Sequence, residues 1–101
     1  MRRENVYLWE KHLNIKVVKV RALKNYRLLL EFNNDGERRL FDVKPYLSKP
    51  AFIDLQNEVF FATAQVAFDT VCWGDEIDFC PEYLYNMSIP IPTHEDDLIA
   101  R

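Results

Sequence analysis

The sequence predicts a small single α+β domain: an antiparallel sheet of two hairpins plus an additional strand, with short helices. Three observations carry that expectation. Apolar and polar residues alternate in short runs between residues 15 and 79, turn-forming residues separate the runs, and prolines at 45, 50 and 81 interrupt them. A length of 101 residues leaves room for one hydrophobic core. Apolar residues are 49% and charged residues 29% of the chain, a balance that separates it from disordered sequences. Seven Phe, five Tyr and two Trp supply large bodies to fill the core.

Residues 1–14 form an N-terminal extension in which Val6, Trp9 and Leu13 would align on one side of a short helix or lie along an extended arm. From Ile15 the pattern changes to alternation. Val18, Val20 and Ala22 fall on one side and Lys19 and Arg21 on the other, which describes a half-buried strand ending at Lys24-Asn25. Residues 26–32 alternate again with Leu28, Leu30 and Phe32 inward. Asn33-Asn34-Asp35-Gly36 tolerates positive φ, and residues 37–43 return as a strand, giving the first hairpin. Pro45 and Pro50 then break the pattern. Asn57 is an N-cap for a short helix carrying Val59, Phe60 and Phe61. Residues 66–73 read as one strand, Gly74-Asp75-Glu76 as a turn and residues 77–79 as its return, a second hairpin. Pro81 suits the first position of a helix over residues 81–86, with Cys80 as N-cap and Glu82 near the positive end of the dipole. The domain is therefore expected over residues 15–86, and residues 87–101 as a polar acidic tail containing the run His94-Glu95-Asp96-Asp97.

Much chemistry is discounted by what the residues are. Two glycines cannot build a phosphate-cradling loop or a dinucleotide fingerprint. The only histidines, His12 and His94, lie in the terminal segments, so no cysteine or serine has an evident base. Asp69, Cys72, Asp75, Asp78, Cys80 and Glu82 crowd a short stretch, but seven residues separate the two cysteines, which lack the spacing of a zinc site, and no calcium loop fits. Neither a metal nor a cofactor is expected. No run approaches the ~18 apolar residues of a membrane helix, and the start lacks a charged-then-apolar leader. The expectation is a soluble cytoplasmic protein with free thiols.

Charge is distributed unevenly. Residues 1–49 carry 12 Lys/Arg against 6 Asp/Glu, and residues 50–101 carry Arg101 alone against 10 acids, so halves of +6 and −9 make the net −3. If the first three strands adjoin, Lys19, Arg21, Arg27, Glu31, Arg38, Asp42 and Lys44 would point outward, a face of five cations and two anions shared with Leu29 and Leu40. The face is either solvated, covered by a partner, or set against phosphate. No aromatic is clearly interleaved on it, which disfavours stacking of single strands.

Three segments together carry a family resemblance. They are Tyr26-Arg-Leu-Leu-Leu-Glu-Phe with Gly36 and Arg39-Leu-Phe-Asp-Val-Lys-Pro-Tyr-Leu47, the central Leu55 and Phe61, and Trp73 followed by Asp78-Phe-Cys-Pro-Glu-Tyr-Leu-Tyr85. In that order, over about residues 15–86, they closely resemble the bacterial family of domain of unknown function 2442. The resemblance implies a small α+β domain with no established catalytic residues to carry over. It also implies a setting in bacteria and their mobile elements, often beside a second small gene in an arrangement similar to toxin-antitoxin pairs. Some relatives look like fusions to a helix-turn-helix, whereas this chain continues after Tyr85 with the acidic tail.

The function expected from these readings is a non-catalytic protein-binding module, antitoxin-like, whose partner is another small protein or a second copy of itself. The candidate binding residues are Lys19, Arg21, Arg27, Arg38 and Lys44. The alternative is a nucleic-acid-binding regulator using the basic N-terminal half.

Overall fold

The computed structural model describes residues 14–91. Alternation builds the first three strands, β1 (Val17–Leu23), β2 (Arg27–Phe32) and β3 (Arg38–Asp42), all antiparallel neighbours. The β2–β3 hairpin turns where the sequence places it, with Asp35 and Gly36 adopting positive φ. Two 3-10 turns, Lys44–Tyr46 and Pro50–Gln56, follow the prolines. The short helix α1 (Glu58–Phe61) is capped as expected, Asn57 Oδ1 accepting from the Phe60 amide at 3.1 Å. Strands β4 (Gln65–Ala67), β5 (Thr70–Trp73) and β6 (Ile77–Asp78) make a second, three-stranded antiparallel sheet. Helix α2 (Pro81–Met87) leads into β7 (Ile89–Pro90), which completes the first sheet in the order β1-β2-β3-β7.

Three details depart from the sequence reading. Val18 faces out, 45% exposed, because a β-bulge between Val17 and Lys19 makes it the extra residue; Val17 before it is buried, and Val20 and Ala22 after it stay inward. The single strand expected over residues 66–73 is two strands joined by Phe68-Asp69, both at positive φ (54° and 66°). A two-residue turn of this hand ordinarily uses Asn-Gly, so a phenylalanine there concealed it. Finally, the chain after Met87 adds a strand where a tail is expected: Ile89 pairs with Leu40 and Pro90 with Arg39. Proline is tolerated there because β7 is an edge strand whose outer side has no ladder to join. Residues 1–13 and 92–101, with the predicted N-terminal helix, both histidines and the acidic run, lie outside the described residues.

The core is one cluster. Leu28, Leu30, Phe32, Phe41 and Val43 meet Leu55 and Phe61, then Val71 and Trp73 of the second sheet and Phe79 just beyond it, then Leu84 of α2. Two polar side chains inside it are satisfied: the Trp73 indole donates to the Phe61 carbonyl at 2.8 Å, and the Thr70 hydroxyl to that of Phe79. Phe52 stacks on Phe79 with ring centroids 4.7 Å apart. Leu84 is fully buried and pins α2 to the core.

Candidate docking face

Register sorts the side chains of the first sheet into two sets, since residues opposite one another in a ladder share a face. On the outer face three rows run across the strands: Leu23, Arg27 and Asp42; Arg21, Leu29, Leu40 and Ile89; and Lys19, Glu31 and Arg38. The middle row is an apolar stripe ending in a cation, and the rows beside it are charged. Leu23, Leu29 and Leu40 are half-buried yet stand outside the core cluster, while Ile89 is 60% exposed. Lys19, Arg21, Leu29, Glu31 and Arg38 line a groove of about 220 Å³. None of these strand positions is aromatic.

Four of the five cations expected on this face are there. Arg38 lies 3.8 Å from Glu31, and Arg27 Nε donates to the Lys24 carbonyl at 3.3 Å. Lys44 is not on the strand. It belongs to the 3-10 turn beyond β3, where its ammonium holds Asp42 at 3.1 Å and the Asn25 carbonyl at 3.0 Å, closing the end of the hairpin.

The inner face holds what the sequence did not disclose. Arg39, next in sequence to Arg38, points the opposite way and is wrapped. Its Nη1 meets Glu37 Oε2 at 2.6 Å, Nε donates to Ser88 Oγ at 2.8 Å, Nη2 donates to the Ser88 carbonyl at 2.7 Å, and the guanidinium lies 4.4 Å from the Tyr85 ring centre. Glu37 also accepts from the Tyr85 hydroxyl at 2.7 Å and from Asn34 Nδ2 at 2.8 Å. Burial pushes the Glu37 carboxyl up, but the hydrogen bonds from Tyr85, Arg39 and Asn34 and the charge of Arg39 outweigh it and hold the group below its usual range. The bond to Glu37, with burial, raises the Tyr85 phenol in turn. Glu37 and Tyr85 are 48 positions apart, and no local pattern links them.

The segment from Asp78 to Tyr85 is therefore a lock. Phe79 and Leu84 fill the core, Pro81 opens α2, and Tyr85 grips Glu37, the residue just before β3. Tyr83 shares a 2.6 Å hydrogen bond with Tyr46, whose phenol burial and that bond push up to about 12. Cys80 is the N-cap residue, though its thiol reaches Glu82 Oε1 at 2.8 Å and not the helix amides. Both cysteines are free, Cys72 buried and Cys80 exposed, and burial followed by the charge of Asp78 pushes the Cys72 thiol up. Among the described residues no three His, Cys, Asp or Glu side chains gather as a metal site, and no helix is long and apolar enough to cross a membrane.

A second groove, about 420 Å³, lies between residues 22–26 and Glu58, Phe61 and Ala62. It carries one acid and one lysine in an otherwise mixed lining, with no concentration of either sign.

No curated protein and no solved structure matches the chain. One family model does, over residues 17–90, and those limits run from the first residue of β1 to the last of β7. Enclosing all seven strands and the motif that locks them, the match shows that this chain belongs to the family described as Protein of unknown function (DUF2442).

Proposed function

We propose that the domain is a non-catalytic protein-binding module that docks an acidic partner on the outer face of its four-stranded sheet. The observation that carries this reading is the apolar row Leu29, Leu40 and Ile89 set between charged rows. A surface meant for phosphate gains nothing from leucines at its centre, whereas protein interfaces combine an apolar middle with a polar rim. Lys19, Arg21, Arg27 and Arg38 against Glu31 and Asp42 leave the face net positive, which steers acidic surfaces toward it. The segment from Asp78 to Tyr85 is taken up with packing, which agrees with a binding role. An antitoxin-like part in a two-gene pair follows from the same reading, because neutralising a partner needs an occluding surface and no reaction.

Co-purification from the native host tests it. Wild-type protein should bring down a partner, and Arg21→Glu/Arg38→Glu should lose that partner while keeping the wild-type circular dichroism. Wild-type protein that captures no protein, but retards duplex or single-stranded nucleic acid at low salt and releases it as salt rises, would turn the reading into the nucleic-acid one.

A further inference from the structure

The outer face also constrains what lies on it. Every strand of the sheet except its edges spends its backbone groups on neighbours, so the face offers side chains and no unpaired N–H or C=O. An extended peptide laid there would leave its own backbone unsatisfied at the contact. A helix brings its backbone already bonded, and helix on sheet is the ordinary way to cover a half-apolar sheet face.

The spacing agrees. From Leu29 through Leu40 to Ile89 are two steps between adjacent strands, about 10 Å at ~4.8 Å a step. Two turns of α-helix rise about 11 Å, so apolar residues at i, i+4 and i+7 would follow the row. The charged rows stand two residues away along the strands, roughly 7 Å on either side, beneath the flanks of a helix about 10 Å across. Those flanks would meet Arg27 and Asp42 on one side and Lys19, Glu31 and Arg38 on the other, with Arg21 at the end of the stripe, four cations against two anions.

We infer that the outer face receives an acidic amphipathic helix of the partner protein, lying across the strands along Leu29, Leu40 and Ile89. This rests on the protein-binding reading above and adds the form and chemistry of the partner's element.

The test uses the full chain, labelled for amide NMR, and a synthetic peptide of about 15 residues, near the shortest length at which an isolated helix holds. The peptide carries leucines at i, i+4 and i+7 with glutamates on both flanks, and its scrambled counterpart has the same composition without the stripe. Saturable shifts at Leu29, Leu40 and Ile89 with the ordered peptide, and binding weaker by about tenfold or more with the scrambled one, are expected. Leu40→Gln should weaken the ordered peptide by a similar factor with the inner-face resonances unmoved. Should that variant not fold, Arg21→Glu serves in its place. Equal binding of both peptides, or shifts confined to other surfaces, would overturn the inference. If neither peptide binds while a native partner is still captured through Arg21 and Arg38, the helix is wrong and protein binding stands. If duplex DNA alone shifts the face, both fall.

Discussion

On its inner face the four-stranded sheet presents Leu28, Leu30, Phe32 and Phe41, none more than 1% exposed, and its one cation, Arg39, is held by Glu37, Ser88 and Tyr85. On its outer face the same strands present Lys19, Arg21, Arg27 and Arg38 around a leucine stripe that touches no core. Arg38 and Arg39 are adjacent in sequence and belong to different tasks. One half of the strand period is committed to folding. The other stands outside the core cluster.

That division can be broken at its strongest point first. Leu84→Ala removes the residue through which α2 pins the inner side, and should cost about 2 to 5 kcal/mol in urea unfolding, as buried leucine truncations do. A cost under 1 kcal/mol, roughly that of a surface change, would mean that α2 is dispensable to the core.

Next is the lock. Tyr85→Phe deletes the hydrogen bond to the charged Glu37 carboxylate, together with the longer one accepted from Asn34 Nδ2 at 3.3 Å, and should cost about 1.5 to 3 kcal/mol. Because the Glu37 pKa is lowered on folding, its contribution is fully present above the ordinary carboxylate pKa and is lost as pH falls through the lowered folded value. Glu37→Gln should therefore flatten the acid limb of stability against pH. An unchanged acid limb in that variant would show that other carboxylates govern it.

The hairpin tip gives a change of opposite sign. Phe68 is 94% exposed at positive φ, a conformation that costs a bulky L-residue about 1 to 2 kcal/mol. Phe68→Asn, a residue suited to this turn, should raise the unfolding midpoint. A lowered midpoint would show that the ring contributes to the fold despite its exposure. The smallest effect belongs to Cys80→Ser, expected to be neutral or mildly stabilising, because the thiol is exposed and serine is the better N-cap. A loss above about 2 kcal/mol would be the size seen for a buried side chain and would contradict the exposed thiol.

Alternation made the sheet legible, and the outward set Lys19, Arg21, Arg27, Glu31, Arg38 and Asp42 could be read from it directly. What escaped had physical causes. Consecutive β-branched residues at Val17-Val18 conceal which of them a bulge expels. Phe68-Asp69 turns without glycine, so its chemistry gave no warning. Pro90 reads as a break although an edge strand accepts it. The Glu37, Arg39, Tyr85 and Ser88 network joins residues about half the chain apart, which no short window can show.

By the proposal, the outer face docks the partner while the inner face holds the fold. Hydroxyl-radical footprinting of the native protein, alone and with its captured partner, tests it most directly. Leu40 and Ile89 should be oxidised in the free protein and protected in the complex, with exposed Val59 and Phe68 equally reactive in both. Protection of Val59 or Phe68 with no change at Leu40 and Ile89 would place the interface elsewhere and contradict the account.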